Sequence, residues 1–355
     1  MDQNKNQNEN KGLTLLALDG GGTRGLSELI ILKTIMHRIQ MKDKLPVMPR
    51  PCERFDMIAG TGTGGLIALM LGKLQLTVDE AITCYNELVE TVFSDVKLRS
   101  KSGNILKATK LEETLKAIVK RHSKNQDAGT LMIDPETEDE LCKVYVSGIV
   151  NVVMSGANKL FFSMGLPVHL RTYNHGNQPS ICCTIWQAAR ATSATIGLFK
   201  KIEIVSDGIP ISYVDAGTGY NNPTAELLKE ANFIFPSQFA ACIISIGAGQ
   251  VHRAIAPRPR ALFQKNMPPG LADTMAAIAT DCEKIAQDVA GRFSEEDNVY
   301  FRFNVDQGLQ DVAVAQWERM GEIKAHTEQY LLGYEVGQKL AAAFCMGLVD
   351  LEKLK

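Results

Sequence analysis

The sequence has no long apolar run, no patterned cysteines and no strong charge of either sign. Every apolar stretch is shorter than the about 18 residues that would indicate a membrane-spanning helix. The eight cysteines are scattered and show no spacing typical of zinc ligands. A net charge of −2 gives no overall reason to expect a nucleic-acid partner. The sequence therefore predicts no membrane span, no metal site and no nucleic-acid binding.

The composition is that of an ordinary globular protein. Of the 355 residues, 45% are apolar and 22% are charged, and this length suits one large α/β domain or two smaller ones. The first eleven residues are too rich in Asn, Gln and Lys to be a secretory signal. We therefore expect residues 1–11 to form a disordered tail, the thiols to be reduced and the protein to be cytoplasmic.

Strand-like and helix-like segments alternate along most of the chain. Short apolar runs predict strands at 13–18, 55–59, 143–150, 167–173, 202–205, 211–214 and 241–246. Helical patterns lie between them near 25–40, 64–72, 77–93, 111–121 and 184–191. Such alternation is typical of an α/β protein with a mostly parallel sheet that helices cover on both faces.

The pattern changes after a break that contains Pro257 and Pro259. Met275, Ile278 and Ile285 then recur at helical spacing, and two more helices are predicted near 310–332 and 333–348. We therefore divide the chain into the tail at 1–11, an α/β domain at 12–260 and a helical extension at 261–355 that packs on it.

A glycine-rich turn follows the second predicted strand. It reads Gly60-Thr61-Gly62-Thr63-Gly64-Gly65 and leads into an apolar helix. The turn has the form of a nucleophile elbow, Gly-x-Ser-x-Gly, in which a sharp strand-to-helix turn presents one side chain at its tip. Here the tip is Gly62, which has no atom that can attack. Thr61 and Thr63 flank the tip and are expected to point away from it.

A second glycine-rich turn follows the first predicted strand and begins at Asp19. The backbone N–H groups of Gly20, Gly21 and Gly22 open a helix here, as in sites that bind anions. In acyl transfer such groups would hold the oxyanion of the tetrahedral intermediate. Arg24 is expected either to stabilise this loop or to help receive a negatively charged group.

Asp215 ends a predicted strand and is followed by small residues, Ala216 and Gly217. Open α/β sheets place their sites at this edge, so Asp215 is a candidate general base toward position 62. Its alternative role is to cap the turn. The six histidines form no motif with the elbow, and an Asp that acts without His is the simpler interpretation.

These motifs, in this chain order, resemble the patatin-like phospholipases over roughly residues 12–255. The segments Trp186–Ser193 and Ser245–Gly247 also resemble that family, and 304–310 and 321–328 are similar to its fungal members. The resemblance implies a three-layer α/β/α fold and hydrolysis of acyl esters of phospholipids by a Ser–Asp dyad, without metal. Gly62 takes the nucleophile place, Asp215 the base place, and Gly20, Gly21 and Gly22 the oxyanion place.

The departure at Gly62 predicts that this chain is inactive or strongly impaired as a lipid acyl hydrolase. Two explanations of Gly62 stay open. It is either an engineered replacement of Ser or a natural feature of a pseudoenzyme that binds lipid or another partner. Both turns also match Gly-x-Gly-x-x-Gly, but neither has the acidic residue at the end of a following strand that dinucleotide binding requires. No cofactor is therefore expected.

Residues 97–124 carry nine Lys or Arg side chains against two Glu, a local excess of seven positive charges. Such a surface attracts anionic lipid, so this segment predicts a peripheral membrane contact, the alternative being an ordinary solvated helix face. A phospholipid or another acyl-ester lipid is the expected partner, and nothing in the sequence indicates an oligomeric state. Candidate residues for an acyl pocket are Leu66, Ile67, Phe161, Phe162 and Met164.

Overall fold

A mixed sheet with a parallel centre organises the chain. The computed structural model describes residues 12–94, 105–133, 142–150, 153–156, 159–162, 167–176, 181–206, 208–250, 271–296, 298–343 and 349–350. Its strands are β1 (Leu13–Leu18), β2 (Met57–Thr61), β3 (Lys143–Val150), β4 (Val153–Gly156), β5 (Lys159–Phe162), β6 (Pro167–Arg171), β7 (Ile202–Ser206), β8 (Ile209–Asp215), β9 (Phe239–Ile246), β10 (Tyr300–Phe303) and β11 (Val349–Asp350).

The helices in the same residues are α1 (Gly25–Lys42), α2 (Gly62–Ala68), α3 (Val78–Phe93), α4 (Ala108–His122), α5 (Ile185–Thr192), α6 (Gly217–Tyr220), α7 (Thr224–Ile234), α8 (Leu271–Arg292), α9 (Met320–Leu331) and α10 (Tyr334–Ala342). A π-helical turn, Leu69–Lys73, continues α2. Single 3₁₀ turns lie at Gly22–Arg24, Pro51–Glu53 and Trp317–Arg319.

The main sheet has the order β10-β9-β1-β2-β3-β8-β7 in the described residues. The five strands from β10 to β3 are mutually parallel, whereas β8 and β7 continue the sheet in antiparallel pairing. Two further strands pair off this path, β11 with β9 and β6 with β3. The predicted mostly parallel α/β sheet is confirmed.

Strand β1 shows why the sheet needs a helical layer on each side. Its residues are almost all buried, and alternate side chains point to opposite faces. Leu16 and Leu18 pack into the apolar cluster that contains α1, α2 and α3. Leu15 and Ala17 pack instead with Leu227 of α7 and other side chains of α7 and α8. The result is the three-layer α/β/α arrangement expected from the sequence.

The strand registers bring the motif residues to one edge of the sheet. Leu18 pairs with Gly60 on one side and with Ile246 on the other, so the turns that follow β1 and β2 lie side by side. Gly148 of β3 pairs with Asp215 of β8. The carboxyl ends of the parallel strands therefore meet the end of β8, which is the edge where open α/β sheets place ligands.

The C-terminal part of the chain contains the predicted helices and also supplies strands to the sheet. β10 pairs in parallel with β9, and Phe303 lies opposite Ile246. The sequence did not predict this strand, because its four residues are too few to show a clear pattern. The helix expected from about 310 begins at Met320, because the carbonyl of Val314 instead accepts the N–H of Thr23. Residues 1–11 and 251–270 lie outside the described residues, and the division into domains stays a prediction.

Among the helices of the described residues, none combines the length and apolarity that crossing a bilayer would require.

The contribution of β10 to the core can be measured on Phe303, whose side chain is fully buried. We expect Phe303→Ala to lower the free energy of unfolding by about 3–5 kcal/mol, because it deletes a buried ring and leaves a cavity. The measurement is urea unfolding followed by circular dichroism. Phe239→Ala, at a ring that is 43% exposed at the start of β9, is the matched control and should cost less than half as much. Equal losses would contradict a structural role for β10.

Candidate active site

The elbow after β2 is built around a left-handed residue. Gly62 is the first residue of α2 and has φ of +57°. Glycine adopts this left-handed conformation readily, whereas residues with a Cβ are strained in it. The neighbouring glycines are needed for space, since a Cβ on Gly64 would lie 2.2 Å from the carbonyl oxygen of Asp19. A Cβ on Gly62, in contrast, would meet no described atom closer than 3.4 Å. The tip of the elbow therefore has room for a side chain.

Asp215 faces this tip. A Cβ built on Gly62 would lie 3.6 Å and 3.7 Å from the two carboxylate oxygens of Asp215. A hydroxyl on that Cβ would reach the nearer oxygen at about 2.8 Å, the usual length of an O–H···O hydrogen bond. The structure thus brings the two residues of the expected dyad positions together, with the nucleophile atom missing.

Two donors hold the Asp215 carboxylate in place. The Thr195 hydroxyl donates to Oδ2 at 2.7 Å, and the Gly217 N–H donates to Oδ1 at 3.0 Å. Burial raises the pKa of Asp215 to about 6, although both hydrogen bonds oppose the rise. A carboxyl with this pKa is ionised at neutral pH and can still accept a proton, as a general base must.

The glycine loop after β1 offers fewer free N–H groups than its sequence suggested. The Gly20 N–H donates to the carbonyl of Asn221 at 3.2 Å, and the Gly21 N–H donates to the Thr63 hydroxyl at 3.1 Å. The Gly22 N–H has no acceptor among the described residues. Gly22 has φ of +61°, and its carbonyl accepts the Tyr85 hydroxyl. Two of the three N–H groups thus fix the loop, and one remains for a ligand.

The hydroxyls of the two elbow threonines form hydrogen bonds away from the tip, as expected. The Thr61 hydroxyl donates to the carbonyl of Tyr220 at 2.9 Å, and the Thr63 hydroxyl accepts the Gly21 N–H. Neither is placed to replace a serine at position 62, because both hydroxyls are tied to backbone groups away from Asp215.

Arg24 is a buried cation that lines the same cavity. Its Nη1 has no hydrogen-bond partner among the described residues, and Nε lies 3.4 Å from the carbonyl of Gly21. Burial lowers the pKa of Arg24 to about 10, so the guanidinium stays charged at neutral pH. Glu28, on the same side of α1, is fully buried, and its burial raises the pKa well above the usual range. Arg24 is therefore available to a negatively charged ligand.

An ion pair fixes the base of the glycine loop. Arg302 of β10 donates to both carboxylate oxygens of Asp19, at 3.1 Å and 2.6 Å. It also donates to the Ser245 hydroxyl at 3.0 Å and to Glu283 of α8 at 2.9 Å. Burial alone would lower the pKa of Arg302, but the Asp19 carboxylate raises it well above its usual value. The loop is thus held from the C-terminal part of the chain.

A cavity of about 70 Å³ joins these groups. Its polar end contains Gly22, Arg24, Gly62 and Asp215, and an apolar arm is lined by Leu66, Leu88, Phe93, Leu111, Leu198 and Phe199. Phe93 and Phe199 meet edge to face at 6.2 Å between ring centres. The arm comes from α2, α3, α4 and the loop after α5, and its apolar lining is of the kind that contacts an acyl chain.

The sequence anticipated only part of this arm. Leu66 lines it, whereas Ile67 is fully buried and packs near Gly25 instead. Met164 and the side chains of Phe161 and Phe162 lie outside the described part of the structure. The sequence did not place Leu88, Phe93 and Leu111 in the pocket, because their helical spacing is equally typical of side chains in an ordinary apolar core.

The sequence also missed the side chains that support the dyad positions. Thr192 accepts the Gly62 N–H at 3.0 Å, Thr195 binds Asp215, and the Asn221 side chain donates to the carbonyl of Gly20 at 2.8 Å. Thr192 lies inside the Trp186–Ser193 segment, and the resemblance of that segment to the family was the one indication that Thr192 belongs to the site. No local pattern indicated a role for Arg302, because 283 residues separate it from Asp19.

The basic segment is partly described. Residues 97–104 lie outside the described residues. Lys107, just before α4, and Lys116 and Lys120 of α4 are exposed. Lys116 lies over the Trp186 ring at 4.2 Å, and Arg121 pairs with Glu87 at 2.9 Å. The membrane contact of residues 97–124 stays a prediction.

Comparison with known proteins gives a consistent result. The family model described as "Patatin-like phospholipase" matches residues 16–228. The chain is 28% identical to the rat calcium-independent phospholipase A2-gamma over 299 residues, which cover 83% of this chain and 35% of that protein. It thus spans about a third of that relative's length.

Two relatives from Arabidopsis thaliana differ in the activity that their names state. Phospholipase A I is 25% identical over 288 residues, covering 68% of this chain and 21% of that protein. "Probable inactive patatin-like protein 9" is 29% identical over 223 residues, covering 59% and 52% respectively. Similarity at this level is therefore shared with proteins named as active and as inactive.

The raised pKa of Asp215 predicts a pH-dependent loss of stability. Between the unfolded value of 3.8 and the folded value of about 6 the native state binds more protons, so stability falls as pH rises through this window and stays low above it. Asn at position 215 is neutral. Its Oδ1 can accept the Gly217 N–H, and its Nδ2 can donate to the Thr195 hydroxyl, which then acts as acceptor. We expect Asp215→Asn to be more stable than the wild type above pH 6, by on the order of 2–3 kcal/mol, and equal to it below pH 4.

Urea unfolding of both proteins across this pH range measures the difference between their free energies of unfolding. The contributions of the other titrating groups are the same in both proteins and cancel in this difference. Asp288→Asn, at an exposed carboxyl of α8, is the matched control for a loss of charge. A difference that is the same at every pH would show that Asp215 does not titrate in this way.

Proposed function

We propose, from the premise that the chain belongs to the patatin-like phospholipase family, that its cavity is a lipid acyl-ester site of the Ser–Asp type with Gly62 at the nucleophile position. The chain is therefore inactive or strongly impaired in hydrolysis. The observation that carries this proposal is the distance of 3.6 Å between a Cβ at position 62 and the Asp215 carboxylate. A serine there would complete the dyad, and no other part of the elbow would need to move.

The residues of the site take these roles in the proposed reaction. Asp215 would accept the proton of a serine at position 62 as its Oγ attacks the ester carbonyl, and the leaving alcohol would take that proton as the acyl-enzyme forms. Water would then release the fatty acid with Asp215 again as base. In this chain the first bond cannot form, because Gly62 carries no oxygen.

The negative charge that develops on the carbonyl oxygen needs donors. The Gly22 N–H and Nη1 of Arg24 are donors of the loop without an acceptor among the described residues, and both residues line the cavity. Gly20 and Gly21 would contribute by fixing the loop, since their N–H groups already have acceptors. We assign the oxyanion role to the loop 20–22 with Arg24 on this basis.

The proposed substrate is a phospholipid or a related acyl ester. Its acyl chain would occupy the apolar arm between α3 and α4, and its ester would lie at the polar end beside Asp215. The name of the rat relative supports a phospholipid. The acyl-chain length and the head group are not part of the proposal.

A second candidate function is lipid binding without hydrolysis. The observation that favours it is that the cavity, the glycine loop and Asp215 are all in place while Gly62 lacks a nucleophile. The Arabidopsis relative named as probably inactive supports the same view. The two candidates share the ligand and differ only in whether the ester bond is broken.

The first test restores the nucleophile. We expect Gly62→Ser to raise the hydrolysis of a chromogenic short-chain ester by on the order of 10⁴–10⁶ over the wild type, since loss of this group in serine hydrolases costs as much. Its kcat/KM should rise with pH through about 6, because Asp215 must be ionised to act as the base.

Gly62→Ala is the matched control for this test. It adds the same Cβ in the same left-handed backbone without a hydroxyl, so it should fold like Gly62→Ser and remain inert. Gly62→Ser/Asp215→Asn should also lose the gain. If a folded Gly62→Ser hydrolyses neither this ester nor phospholipid, the proposed dyad is wrong.

The second test measures binding to the unaltered chain. We expect long-chain fatty acids to displace a fluorescent fatty acid better than short ones, by about 0.8 kcal/mol for each additional methylene that the arm buries. Titration of a homologous series of fatty acids gives this slope. A flat series would exclude the apolar arm as an acyl site.

A further inference from the structure

The β7–β8 hairpin extends beyond the edge of the sheet that carries the site. Asp215, the last residue of β8, pairs with Gly148, but β8 runs antiparallel to β3 and its earlier residues lie beyond the end of that strand. β7 pairs with residues 209–213 of β8, from Ile202 opposite Tyr213 to Ser206 opposite Ile209. At about 3.3 Å per residue the tip lies roughly 20 Å from Asp215.

The tip is apolar and exposed. Val205 and Ile209 are 61% and 63% exposed, whereas Ile204 in the same hairpin is buried in the main apolar cluster. Ile202 of β7 and Tyr213 of β8 belong to the same cluster, so buried side chains anchor the hairpin while its tip presents others to the outside. Ile196, in the loop between Thr195 and Gly197, adds a further half-exposed apolar side chain near the base.

Three cations and the exposed carboxylate of Glu203 flank this apolar tip. Lys200 and Lys201 immediately precede β7, and both are exposed. Lys201 donates to the Ser212 hydroxyl of β8 at 2.8 Å and lies 3.7 Å from the Glu203 carboxylate. The start of α4 is tied to the same loop, because the Leu106 N–H donates to the carbonyl of Leu198, and this places the exposed Lys107 beside it. The basic segment predicted from the sequence therefore adjoins the hairpin.

We propose that the β7–β8 hairpin docks this domain on the surface of an anionic phospholipid bilayer, with Val205 and Ile209 entering the interface and Lys107, Lys200 and Lys201 at the head groups. The inference rests on the proposed function, because it names where that site meets its lipid. The combination of an apolar tip with flanking cations fits a bilayer, which offers hydrocarbon behind a negatively charged surface.

The position of the cavity agrees with this docking. Asp215 at the base of β8 and Thr195, Leu198 and Phe199 of the adjoining loop line the cavity. The elements that would touch the bilayer thus form part of the cavity wall, and a lipid that leaves the bilayer along the hairpin arrives at the polar end.

The experiment is sedimentation of the wild-type chain with vesicles of phosphatidylcholine alone and with added phosphatidylserine. We expect binding to the anionic vesicles that weakens as salt rises. Val205→Asp/Ile209→Asp should lower it at least tenfold, because it places charge where the tip enters the interface. Val205→Trp/Ile209→Trp should strengthen it and shift the tryptophan emission to shorter wavelength on adding vesicles.

Met41→Asp/Val47→Asp is the matched control. These side chains are 66% and 71% exposed, and they lie where α1 ends and leads back to β2, at the opposite edge of the sheet. This pair should leave vesicle binding unchanged. Thermal melting of each variant shows whether it is folded. Docking by the hairpin is overturned if the wild type binds no anionic vesicles, or if both Asp pairs weaken binding equally in folded proteins.

The failure of docking and the failure of the proposed site give different results. In the Gly62→Ser background, Val205→Asp/Ile209→Asp should reduce hydrolysis of vesicle phospholipid and leave hydrolysis of a soluble short-chain ester unchanged. An equal loss on both substrates would overturn the docking role. Vesicle binding is measured without turnover, so an inert Gly62→Ser would refute the dyad and leave the docking test intact.

Discussion

The buried ion pair between Asp19 and Arg302 is the interaction on which the site depends. Asp19 follows β1 and begins the glycine loop, and Arg302 reaches it from β10 with two hydrogen bonds of 3.1 Å and 2.6 Å. A buried carboxylate without its partner costs several kcal/mol, so the loop keeps its place only while β10 is in the sheet. Since Arg302 also binds Ser245 and Glu283, a single guanidinium joins β1, β9, β10 and α8.

The end of α5 plays a similar part on the other side of the cavity. Thr192 accepts the Gly62 N–H, and Thr195, three residues on, donates to Asp215. One short segment therefore sets both the tip of the elbow and the carboxylate that faces it. The separation of the two dyad positions is fixed by the packing of this segment against α2 and β8. It does not depend on a hydrogen bond between residues 62 and 215, which this chain cannot make.

Local patterns predicted the sheet, the elbow and Asp215, because apolar runs, glycines in tight turns and an Asp at a strand end are signals that neighbouring residues carry. What could not be predicted depends on partners far apart in the chain. β10 is a strand only because its N–H and C=O groups meet β9, and Arg302 matters only because the fold brings it to Asp19. The free N–H groups of the glycine loop were overestimated for the same reason, since their acceptors are Asn221 and Thr63.

Asp215 shows what a glycine at position 62 means for the carboxylate that faces it. In a complete dyad the serine hydroxyl would be a third donor to this carboxylate, and its hydrogen bond would offset part of the cost of burying the charge. Here the Thr195 hydroxyl and the Gly217 N–H are its two donors among the described residues, and burial still raises the pKa to about 6. The chain thus bears the energetic cost of a largely enclosed carboxylate that no side chain at position 62 helps to stabilise. A carboxylate in this state suits a polar ligand that donates a hydrogen bond from the space beside Gly62, and the undisturbed elbow keeps that space open.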